Sequence, residues 1–250
     1  MRMRHHRDGV DVTAPLDLEI TVQHQPDDTT CGPTCLHALY RYHGDDIGLD
    51  TVIAEVPTLP GGGTLAVYLA NHALARHFRA TLYTYNLTLF DPTWFASGAG
   101  PIAERLTAQR EAKAAAKLSL ASDGYLEFLA RGGVLRLEDL TADLLRRYLV
   151  RGVPLLAGLS ATYLYRCARE RGGGYDDVGG APAGHFVVLS GYDRTTRRVS
   201  VADPLHDNPG FGTARYWVPI SHLTSAIMLG IVTYDANVLA IEPSVPGKRV

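Results

Sequence analysis

The 250-residue sequence predicts an α+β fold, with helices in the N-terminal part and an antiparallel sheet near the C terminus. Two observations carry this prediction. Apolar residues recur at helical spacing between residues 32 and 149, whereas the segment from 154 to 241 contains short apolar runs rich in β-branched and aromatic residues. The length suits one domain. We expect a flexible tail over 1–17 and a single domain over 18–245, with a helical insertion at about 91–150.

The individual elements follow from the same two periods and from the glycine-rich and polar segments between them. The predicted helices cover 32–43, 47–56, 65–78, 102–120 and 137–149. The predicted strands cover 18–22, 80–87, 154–159, 185–192, 198–202, 216–218, 228–234 and 238–241. The strands at 185–192 and 198–202 flank a polar turn, so we expect them to form a hairpin.

Composition and charge exclude several classes of function. A net charge of −2 gives no reason to expect nucleic acid or an anionic membrane as a partner. No apolar stretch is long enough for a membrane span, and no apolar run follows the basic segment 1–7, so a secretion signal is not predicted. Three cysteines cannot all form pairs, which favours a reducing, cytoplasmic location. Nothing in the sequence calls for a metal or an organic cofactor.

Cys31 is the candidate nucleophile. It directly precedes Gly32 and Pro33 at the predicted start of a helix. A cysteine attacks only as the thiolate, and the free N–H groups and dipole at a helix start favour that negative charge. Glycine leaves space beside the attacked carbonyl group, and proline is tolerated in a first helical turn. We therefore expect thiol acyl-transfer chemistry at Cys31.

Three further residues complete this chemistry. His185 begins a predicted buried strand and is the candidate general base. Asp203 follows the paired strand, and the hairpin brings it toward His185, where a carboxylate would fix the ring tautomer. Gln25, six residues before Cys31, is the candidate for an oxyanion donor together with the backbone N–H of Cys31.

These motifs together resemble a known family. Gln25, the pair Cys31-Gly32 before an apolar helix, the run from Gly184 to Leu189 and the segment Val201-Ala202-Asp203-Pro204 resemble the cysteine peptidase domains that process double-glycine leaders of bacteriocins. The resemblance covers about 18–85 and 152–235. It implies a bacterial thiol protease with a papain-like fold, a peptide or protein substrate, and the catalytic residues Cys31, His185, Asp203 and Gln25. Domains of this family are usually fused to ABC exporters, and this sequence has no transporter segment.

Alternatives remain open at several positions. Asp207 competes with Asp203 for the role of the acid, and Gln23 and His24 flank the favoured glutamine. Cys35 is a core residue or a resolving thiol, or it joins Cys31 and a histidine (His37 or His43) in a metal site. Three functions compete: a peptidase acting on peptide or isopeptide bonds, an acyltransferase or amidase on the same scaffold, and a catalytically silent leader-binding module.

Overall fold

The structure is a computed structural model that describes residues 14–113 and 115–244. The predicted tail lies outside the described residues up to residue 13, and the last residue of the predicted domain, 245, also lies outside them. The chain from 14 to 17 is described, and Leu16–Asp17 form a short strand at its end.

Helices in the described part of the chain pack on both sides of a central sheet. They are α1 (Cys31–Tyr42), α2 (Leu49–Glu55), α3 (Ala66–Ala75), α4 (Ile102–Lys113), α5 (Ala116–Ala130), α6 (Ala142–Leu149), α7 (Ala161–Tyr165) and α8 (Ile220–Leu229).

The sheet is largely antiparallel, with the order β3-β2-β10-β4-β7-β8-β9 and β1 paired to β7. Its strands are β1 (Leu16–Asp17), β2 (Phe78–Thr84), β3 (Val134–Arg136), β4 (Leu155–Ser160), β7 (Gly184–Asp193), β8 (Arg198–Ala202), β9 (Arg215–Pro219) and β10 (Asn237–Pro243). A separate two-stranded ribbon joins β5 (Glu170–Arg171) to β6 (Gly174–Tyr175). Helices that pack on a largely antiparallel sheet confirm the predicted α+β class.

Alternate residues of the central strands face two hydrophobic cores. Leu156 and Val188 contribute to the core that contains α1, α3 and α5. Leu155 and Val187 contribute to the core under α6 and α8. Because both faces are covered, these strands are apolar at nearly every position, and β4 is buried along its whole length.

The hairpin β7–β8 places the candidate base near the candidate acid. The two strands pair in antiparallel register, with an irregularity between Leu189 and Gly191. Asp193 closes the turn by accepting hydrogen bonds from the backbone N–H groups of Thr195 and Thr196. The predicted hairpin is therefore confirmed. It brings the start of β7 and the end of β8 to the same end of the sheet.

Two predicted strands are wrong. Residues 18–22 are not a strand, since Glu19 adopts a φ of 49°, outside the extended region, and β1 pairs with β7 instead. Residues 228–234 complete α8 and a 3₁₀ turn, Gly230–Thr233. Their short apolar run fits either period. The run continues α8, whose Leu223 and Ile227 pack in the second core, while Met228, Leu229 and Val232 of the run itself are exposed.

The segment predicted as a helical insertion contributes to the main fold. The helix predicted over 102–120 is two helices, α4 and α5, and the one predicted over 137–149 begins only at Ala142, after the Thr141 cap. The unpredicted strand β3 pairs in parallel with β2. Leu106 and Phe128 belong to the first core, so much of this segment is part of the packed domain.

Candidate active site

Cys31 is the first residue of α1. Thr30, the preceding residue, ends a turn. Its backbone N–H donates to the carbonyl oxygen of Asp27 at 3.5 Å. The first N–H groups of a helix have no partner within it, so the Cys31 sulfur lies at the end of the helix that favours an anion. The residue is 8% exposed, which leaves a small accessible surface at a largely buried thiol.

Gly32 lets α1 approach its neighbours closely. A Cβ atom at this position would lie 2.7 Å from the Thr64 side chain and 3.2 Å from those of Leu69 and Phe186. Those residues belong to the α3 side of the core and to β7. The glycine after Cys31 is therefore required for this close packing of the start of α1 against the strand that carries His185.

His185, the second residue of β7, is 6% exposed and bonds through Nε2 to Asp203 Oδ1 at 2.9 Å. The Cys31 side chain is close enough to act electrostatically on the imidazole. Burial acts to lower the pKa of the imidazole. The charges of Asp203 and Cys31, with the hydrogen bond to Asp203, outweigh that effect and raise the pKa of His185 to about 10. The site therefore favours an imidazolium beside the thiol.

Asp203 is fully buried and accepts hydrogen bonds at both oxygens. Oδ1 accepts from His185 and from the Leu205 N–H at 2.9 Å, and Oδ2 accepts from the hydroxyls of Tyr165 at 2.8 Å and Tyr216 at 2.5 Å. Burial alone would raise the pKa of this carboxyl, but the charge of His185 and these donors lower it. Asp203 is thus held as a carboxylate.

Sequence reasoning missed Tyr165 and Tyr216. Tyr165 ends α7, and Tyr216 lies on the buried face of β9, where Phe211 stacks on its ring at 3.8 Å. Burial and the neighbouring Asp203 raise the pKa of both hydroxyls, so both remain donors. The alternation of buried and exposed residues in β9 could have indicated that Tyr216 faces inward, whereas no local sequence pattern indicated the position of Tyr165.

Gln25 lies before α1 and next to the turn that follows Asp203. Its backbone N–H bonds to Pro204 O at 2.9 Å, which connects it to the turn after Asp203. Its amide nitrogen donates to Asp27 O at 2.8 Å, and since an amide nitrogen carries two N–H groups, one remains. Gln25 is 4% exposed while Gln23 is exposed, so the structure places the favoured glutamine inward.

The alternative site residues considered from the sequence have different environments. Asp207 is exposed in the loop, and His206 bonds to Val22 O at 3.2 Å. Cys35 is completely buried, and its thiol donates to Phe186 O at 3.2 Å. Burial, with the charges of Cys31 and Asp203, raises the pKa of the Cys35 thiol well above its usual range, so it stays protonated.

Two general properties of the described residues bear on function. Over 14–113 and 115–244, no three histidine, cysteine or acidic side chains are grouped as a metal site requires. Within the same ranges, no helix combines the length and apolar character needed to cross a membrane.

Comparisons with known proteins give a family match. The model of the Peptidase_C39 like family matches residues 113–224. This range contains His185 and Asp203 and part of the segment predicted as an insertion, while Cys31 and Gln25 precede it. No curated protein sequence matches the chain.

Three solved structures are similar over most of both chains. A protein described as a C39-like peptidase from Bacillus anthracis is 14% identical, with 92% of this chain and 98% of that chain covered and a TM-score of 0.49. A double glycine motif protease from an AMS/PCAT transporter, in complex with the leader peptide, is 12% identical, with coverages of 92% and 97% and a TM-score of 0.44. Xylellain, a cysteine protease from Xylella fastidiosa, is 15% identical, with coverages of 91% and 85% and a TM-score of 0.42. The family match confirms the resemblance that the motifs predicted, and the chain is similar to the C39-like cysteine peptidases.

Proposed function

We propose that the protein is a cysteine peptidase that hydrolyses a peptide or isopeptide bond through an acyl-thioester on Cys31. The observation that carries this proposal is the bond between His185 Nε2 and Asp203 Oδ1 at 2.9 Å, with Cys31 close enough to act electrostatically on the same imidazole. Nucleophile, base and orienting carboxylate are the three groups that thiol acyl transfer requires. The family match supports the same reaction class for the half of the site that it covers.

The first half of the reaction forms the thioester. The Cys31 thiolate attacks the carbonyl carbon of the scissile bond, and the developing oxyanion accepts hydrogen bonds from the Cys31 N–H and the free amide N–H of Gln25. The imidazolium of His185 then protonates the leaving amine, the C–N bond breaks, and the acyl group remains on sulfur.

The second half releases the acid. His185 is now neutral and takes a proton from a water molecule, which attacks the thioester carbon. The C–S bond breaks, the carboxylic acid product leaves, and the thiolate and the imidazolium are restored. Asp203 keeps its charge throughout and holds the ring through Nε2, which leaves Nδ1 as the nitrogen that gives and takes the proton.

The first test is brief alkylation with iodoacetamide near neutral pH, followed by intact-mass spectrometry. We expect rapid single labelling that disappears in Cys31→Ala, slows in His185→Ala and is unchanged in the matched control Cys167→Ala, which removes a half-buried thiol outside the site. Slow labelling shared among the three cysteines would contradict an activated Cys31 and support the binding-module alternative.

The second test identifies the reaction. Wild type and Cys31→Ala are incubated with a complex peptide mixture, with and without added amines, and products are identified by mass spectrometry. New carboxyl termini that depend on Cys31 indicate hydrolysis, whereas amine adducts that depend on Cys31 indicate the acyltransferase alternative. Products that are identical in both proteins would refute the proposal.

The domain and location predictions remain part of the same proposal. We propose that residues 18–245 form one peptidase domain. Its three cysteines are all free thiols, which fits a reducing, cytoplasmic compartment.

A further inference from the structure

Asp203 is held by four hydrogen-bond donors, and only one of them belongs to the proposed base. An ionised carboxyl group has about four acceptor sites, so its capacity is filled. Oδ1 accepts from His185 Nε2 and from the Leu205 N–H, both at 2.9 Å. Oδ2 accepts from the hydroxyls of Tyr165 at 2.8 Å and Tyr216 at 2.5 Å. The torsion that orients a carboxyl group is soft on its own, so the two tyrosines decide which oxygen is left for His185.

Tyr165 is fixed by the segment that leads into the strand of the base. It ends the short helix α7, and the Ala161 N–H at the start of that helix donates to Ala183 O at 2.9 Å. The Ala183 N–H in turn donates to Thr162 Oγ1 at 3.0 Å. Since Ala183 lies two residues before His185, α7 is bonded directly to the segment that positions the base. The Tyr165 ring also packs beside the His185 ring, with the ring centres 5.9 Å apart.

Tyr216 is held by the loop between β8 and β9. Phe211 of this loop stacks on the Tyr216 ring, with the ring centres 3.8 Å apart and the planes at 8°. The Phe211 ring also meets the Tyr165 ring edge-on at 6.4 Å. Gly210 allows this close approach, since a Cβ atom there would lie 2.7 Å from the Tyr165 Cα atom. Phe211 is 36% exposed, so a single side chain connects the protein surface to both tyrosines.

A buried asparagine holds this loop in shape. Asn208 is 1% exposed, and its Nδ2 donates to the carbonyl oxygens of Leu205 at 3.0 Å and Thr213 at 2.9 Å. Its Oδ1 accepts from the Phe211 N–H at 2.8 Å. The backbone of Phe211 is therefore fixed within the loop, and its ring is held against Tyr216.

The loss of one hydroxyl would leave part of a buried charge without a donor. Asp203 is 0% exposed, so solvent does not reach it to replace the missing group. The carboxyl group would turn toward the remaining donors, and Oδ2 would then compete with Oδ1 for His185 Nε2. The imidazole would follow either oxygen, so its other nitrogen, which exchanges the proton in the proposed reaction, would lose its fixed position.

We propose that Tyr165 and Tyr216 are positioning residues: by occupying Oδ2 of Asp203 they leave Oδ1 to His185 and so fix the imidazole for proton exchange with Cys31. This inference deepens the proposed function and rests on it. In a purely structural role, the hydroxyls would only complete the hydrogen bonding of the core. Their removal would then lower stability but would leave the Cys31 thiol as reactive as in the wild type.

The experiment measures how fast iodoacetamide labels Cys31 near neutral pH, by intact-mass spectrometry, in the wild type, Tyr165→Phe, Tyr216→Phe and the double variant. Phenylalanine keeps each ring and removes only the hydroxyl. The control Tyr148→Phe removes a buried hydroxyl bonded at 2.9 Å to Tyr83 on β2, which β10 and β4 separate from β7. We expect labelling to slow by about tenfold in each single variant, the effect of losing one hydrogen bond to a charged group, and to keep the wild-type rate in the control.

Urea denaturation of the same variants separates a loss of stability from a loss of positioning. Wild-type labelling rates in both single variants and the double variant, with a stability cost equal to that of Tyr148→Phe, would overturn the inference. Phe211→Ala changes a half-exposed ring and keeps both hydroxyls. Where the tyrosine variants do not fold, this variant decides, since slower labelling of Cys31 supports the inference and a wild-type rate overturns it.

The labelling experiment uses no substrate, so the inference and the proposed function can fail separately. Slow labelling of Cys31 in the wild type would count against the proposed function. Rapid labelling in the wild type and in every folded tyrosine variant would count against the role of Tyr165 and Tyr216 alone.

Discussion

Replacement of Asp203 by Asn tests what the carboxylate contributes beyond geometry. An amide of the same shape can keep its oxygen toward His185 and Leu205, because both donate to Oδ1. Its NH₂ group then faces the hydroxyls of Tyr165 and Tyr216, which can rotate and accept. We therefore expect Asp203→Asn to fold and to keep the ring of His185 in place, while it loses the negative charge.

The expected fall in the pKa of His185 follows from the 2.9 Å contact between His185 Nε2 and Asp203 Oδ1. Two charge centres about 4 Å apart interact with about 4 kcal/mol at an effective dielectric constant of about 20, which corresponds to about three pH units. The pKa of His185 is raised to about 10, with the charge of Asp203 as the largest cause acting in that direction. Loss of the charge should therefore move the deprotonation of His185 down to the neutral range.

The assay is the pH dependence of hydrolysis of a peptide found in the second functional test. The alkaline limb reports loss of the imidazolium that protonates the leaving amine, so it should move down by about three pH units in Asp203→Asn. Asp207→Asn, with the same chemical change in the same loop, should keep the wild-type limb. An alkaline limb unchanged in Asp203→Asn and shifted in Asp207→Asn would refute the assignment of the acid.

Three further predictions concern residues around the proposed triad. Gln25→Ala removes one oxyanion donor and should lower kcat by about 100- to 1,000-fold, measured with the same peptide. Gly32→Ala forces a Cβ atom to within 2.7 Å of the Thr64 side chain and should lower the free energy of unfolding by about 1–3 kcal/mol in urea denaturation. Burial raises the pKa of Asp235 from 3.8 to about 7, so the folded protein favours the neutral carboxyl. The resulting contribution to the free energy of unfolding is fully present below about pH 4 and is lost as the pH rises through 7. Relative to Asp235→Asn, the wild type should lose up to about 4 kcal/mol between pH 4 and pH 8, as measured by urea denaturation at both values.

Each of these predictions has a matched control. Gln23→Ala, at an exposed glutamine, should leave kcat unchanged, and equal losses for both glutamines would argue against an oxyanion role. Gly61→Ala meets no atom within 4 Å and should change the free energy of unfolding by less than about 0.5 kcal/mol. Parallel curves of stability against pH for wild type and Asp235→Asn would show that the carboxyl ionises as freely in the folded protein as in the unfolded chain.

Local patterns predicted those parts of the site that depend on neighbours in sequence. The start of α1 at Cys31 follows from the Gly32-Pro33 pair, and the hairpin follows from two apolar strands around a polar turn. His185 and Asp203 lie only 18 residues apart, so the hairpin alone sufficed to bring them together.

The other parts of the fold and of the site depend on contacts between residues distant in sequence, which a local pattern cannot reveal. Tyr165 is separated from Asp203 by 38 residues, and its role appears only once α7 packs beside the hairpin. The strand β3 has three residues, too few to show alternation, and owes its conformation to pairing with β2. The apolar run at 228–234 fits a strand as well as a helix, and only packing on the second core decides between them.

The distance along the chain between the two halves of the site has a consequence during synthesis. Cys35, one turn after Cys31, contacts Phe186 across 151 residues of sequence, so α1 meets its partner strand only through a long-range contact. The ribosome completes α1 early and β7 to β9 late, and domains generally fold as units. The Cys31 thiol of a nascent chain therefore lacks the neighbouring His185 until β7 has been synthesised. Chains truncated before β7 therefore carry Cys31 without the imidazole and the carboxylate that surround it in the folded protein.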